Sequence, residues 1–343
     1  MTPDLIIATE GKIGRIRLNR PAALHALTTD MCLGIIEALA IFETDDAVEV
    51  IVFDHASGRG FCAGGDIRML ATSGQGDGSE ARAFFRAEYR MNHRLFTYAK
   101  PTVAVMDGIC MGGGVGIALP CRHRVATENT RFAMPETGIG LFPDVGGGWY
   151  LPRLPGKVGM FLALTGARLD GAECLVVGLA THYIAAAALP DVLTALSNNA
   201  DDIAATLKSH GTGAPLARIV ANRTHIDRLF AADSVAMIMN ALEADDSEWA
   251  AKELATMRTK SPLSMAVAMR QLSEGAAMPD FAAEMRQEYA IGARVVHTHD
   301  FIEGVRALII DKDNAPLWTP TVDPAEVDAI FAPLPADQQW TPL

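Results

Sequence analysis

Apolar positions in the first half of the chain alternate between short strand-like runs and longer helical ones. Four runs read as strands, at residues 5–8, 12–18, 48–54 and 102–106, with briefer candidates at 125–126, 132–134 and 181–184. Residues 28–42 carry apolar side chains at helical spacing, a second helix is predicted over 79–97, and the glycine-rich run 112–116 opens a short one. This alternation predicts an α/β fold.

The pattern changes after about residue 190 to alanine-rich amphipathic helices. Five helices are predicted there, over residues 234–242, 247–257, 263–275, 281–297 and 301–311. The tail from Asn314 is rich in proline and is expected to lie on the surface. We therefore predict two regions: residues 1–190 as a core that holds the active site, and residues 191–343 as a helical region packed on that core.

Composition excludes several classes of function. The 343 residues are 50% hydrophobic, and 41 acidic against 29 basic side chains give a formal net charge of -12. Because phosphate backbones need a cationic surface, we expect no nucleic-acid partner. No run approaches the length of a membrane span, and the N-terminal residues resemble neither a signal nor a transit peptide, so a cytoplasmic location without a membrane partner is expected. Five scattered cysteines predict buried, reduced thiols.

Common catalytic motifs are absent from the sequence. It contains no GxSxG elbow, no HExxH zinc motif and no GxxxxGK phosphate loop. His297 and His299 are the nearest approach to a metal pair, but they lack further ligands at a suitable spacing, so no metal is expected.

Two glycine-rich segments follow predicted strands directly. Gly64 and Gly65 end the first segment, GRGFCAGGD, and can form either a simple turn or a place where a ligand approaches the backbone. The second, DGICMGGGVG, has three glycines in front of an apolar helix, around Gly113. Free N–H groups at a helix N-terminus suit an oxyanion. No acidic residue follows at the position that a dinucleotide-binding fold requires.

A third segment places two carboxylates in apolar surroundings. Glu136 and Asp144 lie in FAMPETGIGLFPDVGGG, each just after a proline that stiffens the backbone. A solvated surface loop would hold more polar residues. Carboxylates in such surroundings can have a tuned pKa for work as a base or nucleophile, although both could instead cap helices.

These three segments resemble the crotonase, or enoyl-CoA hydratase/isomerase, superfamily over residues 5–185. The runs FCAGGDI, MGGGVGIAL and MPETGIGLFPDVGGGWYLPRL resemble 3-hydroxyisobutyryl-CoA hydrolases more closely. That likeness continues through KSPLS, from Lys260, and HDFIEGVRALIIDKD, from His299, and so covers nearly the whole chain. The resemblance implies a crotonase-like spiral of repeated ββα units with a helical C-terminal region, and a trimer or dimer.

The resemblance also implies roles for individual residues. The N–H groups of Gly65 and Gly113 would form an oxyanion hole for an acyl-CoA thioester, beside Glu136 as nucleophile or general base. Asp144 would bind the 3-hydroxyl of the substrate or orient the reacting group. Glu88, Gly64 and Asp66 complete the implied substrate-binding set, with Asp66 acting mainly to stabilise the turn. No cofactor is implied, since coenzyme A is part of the substrate.

One position separates the possible reactions. Enoyl-CoA hydratases of this superfamily use two glutamates, and the first of them is replaced here by Gly116. Loss of half of an acid–base pair argues against hydration and for hydrolysis of 3-hydroxyisobutyryl-CoA in valine breakdown. Isomerase or lyase chemistry on another short acyl-CoA remains an alternative, as does a binding protein without activity. The CoA phosphate contacts are not predicted, since Ala22 and Ala23 stand where relatives often carry a basic residue.

Overall fold

The computed structural model describes residues 2–343, and its ten strands form two sheets. In chain order the strands are β1 (Leu5–Glu10), β2 (Ile13–Leu18), β3 (Val50–His55), β4 (Gly60–Cys62), β5 (Thr102–Met106), β6 (Ile109–Met111), β7 (His123–Ala126), β8 (Arg131–Ala133), β9 (Leu169–Asp170) and β10 (His182–Tyr183). The larger sheet has the order β1-β2-β3-β5-β7-β10 and the smaller one β4-β6-β8-β9. Apart from the antiparallel pairs β1–β2 and β8–β9, neighbouring strands run parallel.

Sixteen α-helices connect and cover the sheets within the described residues. They are α1 (Thr29–Thr44), α2 (Ile67–Gly74), α3 (Ser79–Phe96), α4 (Gly113–Ala118), α5 (Gly147–Tyr150), α6 (Val158–Thr165), α7 (Gly171–Val177), α8 (Leu189–Asn198), α9 (Ile203–Ser209), α10 (Arg218–Leu229), α11 (Val235–Glu243), α12 (Glu248–Met257), α13 (Pro262–Gly275), α14 (Phe281–Val295), α15 (His299–Val305) and α16 (Pro324–Phe331). Short 3-10 turns include Glu136–Ile139, and one π-helical turn, Arg306–Ile310, continues α15.

The chain winds through both sheets in a repeating order. Each of the pairs β3–β4, β5–β6 and β7–β8 gives its first strand to the larger sheet and its second to the smaller one, and a helical segment follows. This is the spiral of ββα units that was expected, so the predicted α/β fold class is confirmed. The parallel order places the carboxyl ends of β4, β6 and β8 side by side at one edge of the smaller sheet.

The surroundings of strand β3 explain why its sequence is apolar without interruption. Val50 and Val52 pack into a smaller core with residues of α8 and α9, whereas Ile51 and Phe53 pack into the main core. Because successive strand side chains point to opposite faces, a strand covered on both faces needs apolar residues at every position.

Two expectations hold only in part. Most of the tail lies on the surface as expected, but Trp340 is fully buried, and Val327 and Ile330 of α16 are buried as well. Arginine side chains of α3 donate to backbone carbonyls of Gln338, Gln339 and Thr341, which anchors the tail. The helices α2, α5 to α10 and α16 were not predicted. Helix α6 is apolar on nearly all sides and buried, so it lacks the amphipathic period that reveals a helix.

The main core joins the two predicted regions. It is one contiguous cluster that contains side chains from the strands and from helices α10 to α16. The five cysteines are all buried and free, as predicted. All ten strands precede residue 190, but the division of the chain there stays a prediction.

Candidate active site

A small cavity of about 60 Å³ lies at the edge where β4, β6 and β8 end. Of the seven candidate site residues, six line it together: Gly64, Gly65, Glu88, Gly113, Glu136 and Asp144. The remaining wall is apolar and comes from Ile67, Leu70, Phe84, Phe85, Ile139 and Leu141, among others. The fold thus gathers residues that are far apart in sequence around one pocket.

The two glycine turns meet because β4 and β6 are parallel neighbours. Gly64 and Gly112 have φ angles of +124° and +46°, which side chains other than glycine rarely allow. A Cβ on Gly112 would lie 3.2 Å from the Cα of Gly64, so the backbones approach closely only because both residues are glycine. Among the described residues, no acceptor binds the N–H groups of Gly65 or Gly113. These N–H groups are free to bind an oxyanion.

Three buried carboxyl groups face these turns. Glu88, Glu136 and Asp144 are only 2%, 4% and 5% exposed. Glu88 Oε1 lies 2.6 Å from the position that a Cβ on Gly113 would take, and Glu136 Oε1 lies 3.3 Å from the corresponding position on Gly112. Within residues 2–343, Glu88 Oε1 and Glu136 Oε2 have no hydrogen-bond partner. Unpartnered oxygens aimed at a cavity are positioned to act on a ligand rather than to hold the fold.

Burial and mutual repulsion tune these groups. Burial raises the pKa of Glu136 well above its ordinary value, and the nearby Asp144 raises it further. The pKa of Glu88 is also raised, first by burial and then by Asp144 and Glu136. Burial raises the pKa of Asp144 to about 7, although the Tyr89 hydroxyl, which donates to Asp144 Oδ2 at 2.9 Å, opposes that rise. Such perturbed carboxyl groups in a cavity are typical of catalytic sites.

The two C-terminal motifs hold the turn that carries Glu136. The N–H of Ser261, in the KSPLS motif, donates to the carbonyl of Thr137 at 3.0 Å. The Ser261 hydroxyl donates in turn to the carboxylate of Asp300 at 2.5 Å. A Cβ on Gly140 would meet the Asp300 carbonyl oxygen at 2.1 Å, so this turn packs directly on α15. The helical region therefore supports the position of Glu136.

Gly116 is closed to a side chain. A Cβ there would lie 2.7 Å from both Asn92 Nδ2 and the Cβ of Val145. The Asn92 amide also donates to the Gly116 carbonyl at 2.9 Å. The space that a second glutamate would enter is occupied by neighbouring side chains.

Asp66 is the one candidate that does not line the cavity. Its carboxylate caps α2 by accepting the N–H of Met69 at 3.3 Å, and it pairs with Arg20 at 3.2 Å. An N-cap stabilises the helix start that follows the glycine turn. This placement agrees with a role in holding the turn rather than in contacting substrate.

Sequence reasoning missed Tyr89, Asn92 and Glu288, all of which adjoin the site. Asn92 lies four residues after Glu88 on α3, so helical spacing from Glu88 could have found it, whereas Tyr89, the next residue, gives no such signal. Glu288 is fully buried on α14 and accepts N–H groups from the loop after Asp144. Its signal was a pair of acids, Glu284 and Glu288, spaced one turn apart on the apolar face of a helix.

Residues 2–343 contain neither a metal-binding cluster nor a membrane-spanning helix. No group of three or more histidine, cysteine, aspartate or glutamate side chains is arranged there to hold a metal ion. Nor does any helix in that range have the length and hydropathy needed to cross a membrane.

Comparison with known proteins identifies the protein family to which this fold and site belong. The family model described as enoyl-CoA hydratase/isomerase matches residues 13–331, which is most of the chain. The protein belongs to the enoyl-CoA hydratase/isomerase family.

Within that family, the chain is 42% identical to a zebrafish (Danio rerio) protein named 3-hydroxyisobutyryl-CoA hydrolase, mitochondrial, over 96% of this chain and 90% of that protein. A solved structure titled carnitinyl-CoA dehydratase, from Mycobacterium thermoresistibile, is 39% identical with a TM-score of 0.94 over 99% of each chain. Another, titled enoyl-CoA hydratase, from Rhodobacter sphaeroides, is 40% identical with a TM-score of 0.91 over 98% of this chain and 99% of that one. The two structure titles name other reactions of the same family, whereas a human relative, 40% identical over 92% of this chain and 84% of that protein, is also named 3-hydroxyisobutyryl-CoA hydrolase, mitochondrial.

Proposed function

We propose that this protein hydrolyses the thioester of 3-hydroxyisobutyryl-CoA to 3-hydroxyisobutyrate and coenzyme A, a step of valine breakdown. The 42% identity to a protein named as that hydrolase, over 96% of this chain, supports the proposal. So does the cavity, which offers two free backbone N–H groups beside ionisable carboxyl groups.

The observation that carries hydrolysis over hydration is the closed position at Gly116. Hydration by two glutamates would need a carboxylate there, and Val145 and Asn92 leave no room even for a Cβ. Glu136 is then the only glutamate of the hydratase pair that this chain retains. One basic or nucleophilic carboxylate beside an oxyanion hole is sufficient for acyl transfer.

The oxyanion hole would act first. The thioester carbonyl oxygen accepts hydrogen bonds from the N–H groups of Gly65 and Gly113, and negative charge develops on that oxygen as the carbonyl carbon is attacked. Because these donors are already in place and buried, little reorganisation is needed in the transition state. Loss of one such donor typically costs about 2.7–4 kcal/mol of transition-state stabilisation.

Glu136 would then complete the reaction by one of two routes. Its carboxylate attacks the carbonyl carbon, the C–S bond breaks, the CoA thiolate takes up a proton, and water hydrolyses the resulting mixed anhydride. Alternatively, Glu136 removes a proton from a water that attacks the carbonyl carbon, and the C–S bond breaks in the same way. Both routes need the ionised carboxylate, and both consume one water.

Asp144 would select a 3-hydroxyacyl group. In its ionised form it is an acceptor for a substrate hydroxyl, and Tyr89 orients it by a hydrogen bond of 2.9 Å. With a pKa of about 7 it is partly ionised near neutral pH. Glu88, whose raised pKa favours the neutral form, is then able to donate a hydrogen bond to the substrate.

The setting of this reaction is part of the proposal. The substrate is the acyl-CoA itself, and no metal or separate cofactor takes part in either route. A cytoplasmic location and a dimer or trimer stay predictions, and the zebrafish relative carries a mitochondrial name.

The test is Glu136→Gln, which keeps the shape of the side chain but removes its basicity and nucleophilicity. We expect thiol release from 3-hydroxyisobutyryl-CoA to fall by at least about 10²-fold. Glu253→Gln, a change at a buried glutamate of α12 outside the cavity, serves as the matched control and should retain activity. Transfer of 18O from labelled water into Glu136 would identify the anhydride route.

The other possible results would reject the role of Glu136 or favour one of the alternative functions. Near-normal thiol release by the Glu136→Gln variant would reject the role of Glu136. Loss or gain of enoyl absorbance without thiol release by the unaltered protein would favour hydratase or isomerase chemistry. Binding of acyl-CoA without turnover of any member of a short acyl-CoA panel would indicate a binding protein.

A further inference from the structure

Glu288 holds the loop that follows Asp144. Its Oε2 accepts the N–H of Gly146 at 2.8 Å, and its Oε1 accepts the N–H of Gly148 at 3.2 Å. The carboxyl group is fully buried on α14 and does not line the cavity. Glu288 thus reaches the site only through the backbone of this loop.

A second contact anchors the other side of Asp144. The side-chain amide of Gln271 donates to the carbonyl of Pro143 at 2.8 Å and to Glu288 Oε1 at 3.1 Å. Pro143, directly before Asp144, and Gly146, two residues after it, are therefore both tied to the buried pair of Gln271 and Glu288. Hydrogen bonds that are buried away from water are electrostatically stronger than exposed ones.

The loop needs such an anchor because its backbone is strained. Val145 has a φ of +54° and Gly146 one of +93°. A β-branched residue in the left-handed region is a genuine outlier, and such a conformation persists only when its surroundings hold it. This conformation also turns Val145 onto Gly116, while the Asp144 side chain lines the cavity.

A second buried acid, Glu284, lies one helical turn before Glu288. Within residues 2–343 neither of its carboxyl oxygens has a hydrogen-bond partner. Burial raises the pKa of Glu284 to about 7, and burial and the charge of Glu284 raise the pKa of Glu288. A Cβ on Gly148 would lie 1.9 Å from Glu284 Oε1, which leaves glycine as the residue that fits there.

We propose that Glu288 is a positioning residue: through the N–H groups of Gly146 and Gly148 it sets where the Asp144 carboxylate meets the substrate hydroxyl. The proposal rests on the proposed function for the role of Asp144. The arrangement gives α14, in the helical region, a direct part in substrate selection.

Glu288→Gln and Glu284→Gln form a matched pair of variants. A glutamine at 288 turns one of the two acceptors into an N–H donor that opposes a loop N–H. A glutamine at 284 instead changes a neighbouring buried acid that makes no hydrogen bond to the loop, so the contacts of Glu288 with Gly146 and Gly148 survive. Both changes conserve shape, and thermal unfolding of each variant shows whether the fold is retained.

The first measurement compares kcat/KM for 3-hydroxyisobutyryl-CoA and for isobutyryl-CoA, which lacks the hydroxyl. We expect Glu288→Gln to reduce the preference for the hydroxylated substrate by about tenfold or more. Glu284→Gln should keep the preference within a factor of about two to three. Met285→Ala, a buried change on the same helix, is a control for lost stability and should lower the amount of folded protein but not the preference.

The second measurement does not depend on the substrate. Hydrogen exchange of the peptide that contains residues 144–150 should be faster in the Glu288→Gln variant, by about tenfold, and little changed in the Glu284→Gln variant. Faster exchange in a protein that lacks thioesterase activity would reject the proposed function but support the anchoring role. Unchanged exchange and an unchanged substrate preference in a folded Glu288→Gln variant would overturn the proposal, as would an equal fall of kcat/KM for both substrates.

Discussion

The closed position at Gly116 allows a sharp test of why this chain would not hydrate an enoyl-CoA. Gly116→Ala adds a single methyl group, whose carbon would lie 2.7 Å from both Asn92 Nδ2 and the Cβ of Val145. Overpacking of this kind costs about 1–3 kcal/mol. Alanine in place of glycine inside a helix returns about 0.8–1 kcal/mol. We therefore expect a net loss of about 0–2 kcal/mol in the free energy of unfolding, measured by urea denaturation.

Gly116→Glu adds a longer side chain and a carboxyl group at a buried position. Burying an unpaired polar or charged group costs several kcal/mol more. We expect this variant to be less stable than Gly116→Ala and to gain no hydration of enoyl-CoA, followed by the loss of enoyl absorbance.

A variant at Val145 allows the contribution of the steric clash at Gly116 to be measured separately. Val145→Gly removes one of the two obstructing atoms and suits the observed φ of +54°. In that background Gly116→Ala should lose less stability than in the unaltered chain, which appears as a favourable coupling in a double-mutant cycle. If Gly116→Ala were more stable than the unaltered protein, or Gly116→Glu hydrated enoyl-CoA at full stability, the reasoning from packing would be refuted.

The remaining perturbations address the second glycine turn, the Tyr89 hydroxyl and the charge of Glu136. Gly113→Ala would place a Cβ 2.6 Å from Glu88 Oε1, so displacement of the turn should lower kcat for thiol release about 10²-fold; wild-type kcat would exclude this N–H from the oxyanion hole. Tyr89→Phe removes a hydrogen bond that lowers the pKa of Asp144, so the acid limb of the pH–rate profile should move to higher pH; an unmoved limb would contradict this. Because the pKa of Glu136 is raised in the folded state, this carboxyl group ionises at a lower pH in the unfolded chain than in the folded protein. Ionisation therefore favours the unfolded chain as the pH rises. In urea unfolding, the Glu136→Gln variant should therefore be more stable than the unaltered protein at about pH 8, by more than about 1 kcal/mol, and should differ little from it at about pH 5. A difference in the free energy of unfolding that does not change with pH would refute this.

Local sequence was sufficient for the features that depend on neighbouring residues. The uninterrupted apolar run at β3 indicated a strand covered on both faces, because side chains alternate between faces. Gly64 stood out as a turn residue, and its φ of +124° is one that only glycine adopts readily. The replacement of a glutamate by Gly116 was visible through the resemblance to hydratases, and it suggested a reaction before any geometry was known.

Tertiary structure decided which of these features meet. The N–H groups of Gly65 and Gly113 share a cavity because β4 and β6 are adjacent and parallel, and no periodicity within either segment specifies that pairing. Glu88 reaches the same cavity from α3, and Glu288 acts on it from α14. The burial of Trp340 likewise depends on a surface made by distant helices. Periodicity reports only whether a residue faces an interior, whereas the identity of its neighbours follows from the packing of whole elements, which is why the support of Asp144 was found only in the folded chain.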